Sequence, residues 1–255
     1  MSKDGAELRA SENLFVRALL YFHTIRHLRP AQIFGRLRFR LHRPRPNLQV
    51  PPPRRKAVGV WLTPCEHRQS MVAEDTFVFL NESRSNTSRA SWNDTAVEKL
   101  WLYNLHYFDD LNADGAVTRR EWHMRLIERW IEENPPGCGN GWEPYPSSLR
   151  IVNWIEWALS GGELSPRAIA SLAEQIRFLC ERLEFHLLGN HLLANAKALI
   201  FAGAFFEQDE AQEWLAKGSR ILRRELPEQI LADGGHFERS PMYHGIILED
   251  LLDIE

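Results

Sequence analysis

From about Trp92 onward the chain carries one pattern: amphipathic helical stretches cut by Pro, Gly and Asn. Ile169, Leu172, Ile176, Leu179 and Leu183 recur every three or four residues, which lays an apolar stripe along one helix face. Ser165-Pro166 opens that helix with an N-cap and a Pro at the first helical position. Trp122, Leu126, Ile127, Trp130 and Ile131 form an earlier stripe, opened by a Thr118/Glu121 capping box and stopped by Asn134-Pro135-Pro136-Gly137. Leu149, Val152, Ile155 and Leu159 form another, between Ser147-Ser148 and Gly161-Gly162. Residues 191–206 hold Ala194, Ala196, Ala198, Ala202 and Ala204, which let neighbours approach closely on both sides. Residues 210–226 and 243–254 complete the series. Short loops force such helices to run antiparallel, so a mainly α bundle, solenoid or α/α toroid is expected. No fixed-period repeat is visible, which argues against the regular solenoid families.

The first 90 residues differ. Residues 1–56 hold 13 Lys and Arg against 3 Asp and Glu, while the whole chain has a net charge of −3. A basic strap on an acidic body, or one wall of an anion-binding groove, accounts for this better than nucleic-acid binding, because no RNA-binding aromatic or Gly-rich signature accompanies it. Pro44, Pro46 and Pro51-Pro52-Pro53 give a stiff connector, and residues 58–62 and 76–80 are short β-like runs. The expected organisation is a basic N-terminal segment, helical in pieces over residues 1–42, with a Pro-rich connector and short strands up to residue 90, then a toroid portion of helical hairpins over residues 91–255. The last helix is still amphipathic at Glu255, so a longer architecture is expected. The apolar run at residues 14–22 is broken by Arg17 and lacks a small-residue cleavage site, so no secretory signal is read there. Nor does any run suffice to span a bilayer. Cys65, Cys138 and Cys180 are too few and too scattered for a disulfide framework.

Two blocks concentrate polar chemistry: Gly189-Asn190-His191-Leu192-Leu193-Ala194-Asn195, and Asp233-Gly234-Gly235-His236-Phe237-Glu238-Arg239-Ser240-Pro241-Met242-Tyr243-His244. Asn190 is either a plain N-cap or, with His191, an amide–imidazole pair facing a cleft from a helix start, where negative charge is favoured. Tyr243 acts as a base only beside cations that favour its phenolate, and Arg239 and His191 are the candidates. Otherwise it is a half-buried tyrosine bonded to backbone. Trp142 and Tyr145, in a Gly/Pro-rich loop, are the aromatics best suited to stack on sugar rings, and Arg150 can pair with a carboxylate or sulfate. Residues 110–121 also fit the calcium-loop template, Asp110-x-Asn112-x-Asp114-Gly115-x5-Glu121, although such loops usually come in pairs. Zinc spacing, nucleophilic triads and phosphate-cradling loops are missing from the sequence, and no cofactor is expected.

These blocks, with Leu-Trp-Leu-Tyr-Asn-Leu-His-Tyr-Phe-Asp at residues 100–109 and Pro-Tyr-Pro-Ser-Ser-Leu-Arg-Ile-Val-Asn-Trp at 144–154, resemble the heparinase II/III-like polysaccharide lyases. The resemblance spans about residues 25–255. It implies an incomplete α/α toroid, a β-sandwich that this sequence lacks, and β-elimination at a uronic acid residue. It also implies that Asn190 and His191 face the substrate carboxylate and that Tyr243 serves as base, acid or both. His236, Glu238, Arg239, His244, Trp142, Tyr145 and Arg150 are the expected substrate-binding residues. An acidic polysaccharide partner and a periplasmic or extracellular workplace follow from the same likeness, with the cytoplasm as the alternative because no secretory signal is read. The amide–imidazole pair and the phenol should then share a hollow lined with positive charge. A non-catalytic acidic-carbohydrate binder and a calcium-binding helical module are the competing readings.

Overall fold

The computed structural model describes residues 20, 23, 26, 28–56, 58–62, 65 and 67–255; the helical pieces expected before residue 20 lie outside the described residues. The chain divides into two compact units. The smaller holds helix α1 (Pro30–Leu41) and residues 185–188. There Gly35 makes room for His186, since a Cβ at residue 35 would stand 2.9 Å from the His186 backbone nitrogen. Phe39 stacks on the same imidazole with ring centres 4.3 Å apart.

The larger unit is residues 44–184 with 189–255. Among its described residues it comprises helices α2 (Lys99–Tyr107), α3 (Arg120–Glu133), α4 (Pro144–Leu159), α5 (Pro166–Glu181), α6 (Gly189–Phe205), α7 (Gln208–Gln229) and α8 (Pro241–Ile254), plus short 3-10 turns. Ser165 caps α5 as expected, accepting from the Ala168 backbone at 3.0 Å. The Thr118/Glu121 box does not form: α3 begins at Arg120, and the Thr118 hydroxyl donates to the Gly115 carbonyl at 2.8 Å. Instead of ending at residue 226, α7 continues through Pro227 to Gln229, which brings the Gln229 side chain to the site described below.

Helix α4 is the hub, packed by α2, α5 and α6. It contributes Trp154 to an edge-to-face nest with Trp130 and Phe108, on which Trp142 packs at a tilt against Trp130, all at most 4 % exposed. Aromatic pairs in such geometry add about 0.5–1.5 kcal/mol each beyond their area burial. α6 pairs with α7 along much of its length. The approach depends on glycine at two places: a Cβ on Gly203 would sit 2.5 Å from the Leu215 Cβ, and one on Gly218 would sit 2.7 Å from the Ala196 carbonyl oxygen.

A small antiparallel sheet, β1 (Met71–Ala73), β2 (Thr76–Phe79) and β3 (Glu82–Ser85), buries Met71 and Phe77. The β2–β3 turn places both Leu80 and Asn81 at positive φ, 52° and 63°, as a two-residue hairpin of the favoured twist demands. Residues 58–62, expected as β, form no strand, and Val58, Val60 and Leu62 are exposed. Among the described residues no strand pairs with them to bury their alternate faces. The basic connector is a strap from residue 44 onward. Arg55 donates to the Ala204 and Phe206 carbonyls at 2.9 and 3.2 Å, satisfying the C-terminal end of α6. No helix among the described residues is long and apolar enough to cross a membrane.

Candidate active site at the start of α6

Gly189 opens α6 at φ +59°, a left-handed conformation that glycine adopts freely. Asn190 and His191 therefore lie in the helix's first turn, rather than Asn190 serving as its cap. Both side chains are half-buried. The His191 Nδ1 stands 3.1 Å from Oε1 of Glu184, which is itself 5 % exposed. Asn195, one turn along α6, locks that carboxylate: its Nδ2 donates to the Glu184 Oε2 at 3.1 Å, and its Oδ1 accepts the Glu184 backbone amide at 2.8 Å. Asn195 also donates to the Ser148 hydroxyl at 3.0 Å, tying the assembly to α4. An imidazole that donates Nδ1–H to a carboxylate keeps Nε2 for a ligand. Glu184 escaped the sequence reading. Its only trace was its place just before the Gly-Asn-His block, because the contact with His191 is made by the chain turning back on itself.

Tyr145, in the first turn of α4, lies against His191 with ring centres 4.4 Å apart and takes a hydrogen bond from the Asn190 side chain. Burial, then the nearby Asp250 charge, pushes its phenol up to about 12, so it stays protonated at neutral pH. Gln229 stitches the second block to the first. Its Nε2 donates to the Gly189 carbonyl at 3.2 Å, its own carbonyl accepts the Phe237 amide at 2.8 Å, and its Oε1 lies 3.4 Å from the His236 Nε2. The His236 ring is in turn 6.3 Å from that of Tyr243, centre to centre. A Cβ on Gly189 would meet the Glu238 carboxylate at 3.4 Å. The two blocks therefore share one neighbourhood. Tyr243 is half-buried in the first turn of α8, while Glu238, Arg239 and His244 are exposed beside it. Arg239 holds a positive φ of 54°, a strained backbone for a side-chain-bearing residue.

Three expected substrate contacts are instead interior. Trp142 is 4 % exposed, packs on Trp130 and donates its indole N–H to the Asn134 carbonyl at 3.3 Å. Arg150 is 0 % exposed and donates to the Gln175 side chain and to the His106 and Gly141 carbonyls. His236 is 2 % exposed, and burial holds its imidazole below the usual range, so it supports the loop from beneath as a neutral ring. Sequence cannot separate Arg150 from Tyr145, which does reach a cleft, because the side of α4 facing inward is set by its neighbours.

The calcium loop is also corrected. Asp110 is consumed by the Ser70 and Met71 amides, Arg119 and His123, and Asn112 turns to Asn153 and Glu156. Glu121, its side chain 87 % exposed, lies near Arg125, and no three His, Cys, Asp or Glu among the described residues converge as metal ligands.

A cleft of about 220 Å³ opens between α4, α6 and α8, bordered by Tyr107 and Tyr145. It is acidic: Asp109, Glu156, Glu249, Asp250 and Asp253 line it beside Lys197 and His67, and Asn190, His191 and Tyr243 are not among its lining residues. Lys197 is already paired, 2.9 Å from Asp250 and 2.5 Å from Asp253.

Residues 118–255, more than half of the chain, match the family model Heparinase II/III N-terminus, and the chain belongs to that family. Three similar proteins are named heparin-sulfate lyase. The one from Bacteroides thetaiotaomicron is 32% identical over 142 residues, covering 51% of this chain and 20% of that relative. The one from Bacteroides stercoris is 51% identical over 155 residues, covering 49% and 22%. The one from Pedobacter heparinus is 28% identical over 136 residues, covering 49% and 20%. The chain thus spans about a fifth of the length of these relatives. A solved heparinase III structure shares the fold, with a TM-score of 0.55 and 22% identity over 71% of this chain and 34% of that one.

Proposed function

We propose that this chain carries the carboxylate-neutralising and proton-transferring parts of a polysaccharide lyase acting on uronate-containing, heparan-like polymers. The observation that carries the reading is the placement of Asn190 and His191 in the first turn of α6, with His191 held by Glu184 and the segment joined through Gln229 to the loop leading to Tyr243. β-Elimination removes the proton on C5 of a uronate, and the developing charge spreads onto its carboxylate. The Asn190 amide and the His191 Nε2–H, in its charged form, stabilise that charge, helped by the positive end of the helix dipole. The Tyr243 phenolate takes the C5 proton. The C5–H electron pair becomes the C4–C5 double bond as the C4–O4 bond breaks, and the phenol returns its proton to the leaving O4. No electron leaves the substrate, so no redox partner is required. A bacterial periplasmic or extracellular workplace belongs to the same proposal.

The test is incubation with a panel of uronate polymers, followed by the ultraviolet absorbance of the unsaturated uronate. Tyr243→Phe should lower its rate of formation by at least about 100-fold, the lower end for loss of an acid–base group. Unchanged product formation in that variant would refute the role of Tyr243. Binding of the polymers without cleavage by the wild type would favour a non-catalytic carbohydrate-binding protein.

A further inference from the structure

The acidic cleft beside Tyr145 has a chemistry that the proposed elimination does not use. Glu156 lines it at 3 % exposed, and its Oε1 has no hydrogen-bond partner, while Oε2 accepts from Asn112 at 3.2 Å. A buried carboxyl oxygen left bare is costly and marks a place where a donor belongs. Around it stand Asp109, whose Oδ1 accepts from Asn153 at 2.9 Å, and Glu249, whose Oε1 lies 3.3 Å from His67. The excess of carboxylates means that an uncharged occupant would leave their repulsion in place. A bare metal ion fits poorly, because these carboxylates do not converge as ligands. The remaining lining is Leu149, Val152, Ala194 and Ile246 with the Tyr107 and Tyr145 rings, surfaces that suit a carbon-bearing cation.

We propose that this cleft binds the protonated primary amine of an amino sugar, with Glu156, Asp109 and Glu249 accepting its hydrogen bonds and the tyrosine rings flanking the sugar. Tyr145 joins the cleft to Asn190 and His191, so the proposal refines the reading above toward polymers with unsubstituted amines and, in its sugar specificity, rests on that reading. Burial, then mutual repulsion with Asp253, Glu249 and Asp250, pushes the Glu156 carboxyl up to about 8, against the pull of Lys197. Burial likewise raises Asp109, Glu249 and Asp250. A bound cation relieves each of them.

Glucosamine titrated into the 255-residue chain, followed by NMR, should bind saturably, and N-acetylglucosamine at least about tenfold more weakly, since acetylation removes the charge. Glu156→Gln keeps the shape and should weaken glucosamine by about tenfold, one charge-assisted hydrogen bond. Glu249→Gln, on the half-buried rim, should weaken it in the same direction and guards against a folding defect in the first variant. Equal binding of the two sugars, no glucosamine binding, or unchanged binding in both variants overturns the proposal. Uronate cleavage and its loss in Tyr243→Phe do not enter this assay, so either reading can fail alone.

Discussion

Arg150→Ala should destabilise the folded chain by at least about 3 kcal/mol, read as a lower urea midpoint with unchanged slope. The guanidinium is wholly buried, and its hydrogen-bond acceptors among the described residues are all neutral. Its Nε donates to Gln175 Oε1 at 2.8 Å, and its other nitrogens to the His106 carbonyl at 3.1 Å and the Gly141 carbonyl at 2.7 Å. Its Cζ lies 3.9 Å over the Trp130 ring, which supplies the remaining electrostatic support. Truncation strands three acceptors and opens a void against Trp130, two mechanisms that each produce large losses. Lys is no substitute, because one ammonium cannot satisfy the fork. The neighbouring His106 fits this picture. Its Nε2 faces the Trp92 carbonyl at 3.0 Å and its Nδ1 accepts the Trp130 indole N–H at 3.0 Å, a neutral tautomer. Burial, then the Arg150 charge, holds that imidazole down to about 3. A loss within about 1 kcal/mol for Arg150→Ala would mean the core closes without this network.

Asp110→Asn should cost about 3–5 kcal/mol, because it strips the acceptor from a buried Arg119 guanidinium. Arg119 Nε and His123 Nε2 reach Asp110 Oδ2 at 2.8 and 2.9 Å, while the Ser70 and Met71 amides reach Oδ1 at 2.7 and 2.8 Å. This one carboxylate anchors the first strand to the helical body. Burial pushes its carboxyl up, but the hydrogen bonds from His123, Arg119, Met71 and Ser70 outweigh it and bring it down to about 2. The folded value lies below the unfolded one, so the unfolded chain takes up the proton first. The stabilisation is present above about pH 4 and is lost as pH falls toward about 2. Wild type should therefore shed stability across that window, and Asp110→Asn should lack that portion of the acid slope. Parallel acid profiles for the two proteins would show that the carboxylate is not the anchor.

The helices were legible because their stripes and stops are local. Ile169 to Leu183 with Ser165-Pro166 needs no tertiary knowledge, and the Ala-rich pattern of α6 announced its close packing. The Asp110 loop misled for the opposite reason: oxygen ligands at calcium spacing also suit an anchor, and only the approach of Ser70, Met71, Arg119 and His123 decides between them. Trp142 and Tyr145 stand three residues apart in the same polar-looking loop, yet one is core and the other lines a cleft. The cleft's negative charge was illegible because it assembles from α4, α6 and α8, each ordinary in composition by itself. Glu184 shows the same limit, being an unremarkable residue until Asn195 and His191 fold back onto it.

If Asn190, His191 and Tyr243 meet one uronate, a single ligand must perturb all three. A heparan sulfate oligosaccharide titrated into the isotope-labelled chain tests it through the Asn190 side-chain amide, the His191 ring and the Tyr243 ring. The three signals should move together with one saturation curve, and Asn190→Ala should flatten it. Movement confined to other surfaces of the chain, or shifts at His191 with Tyr243 unmoved, would contradict it.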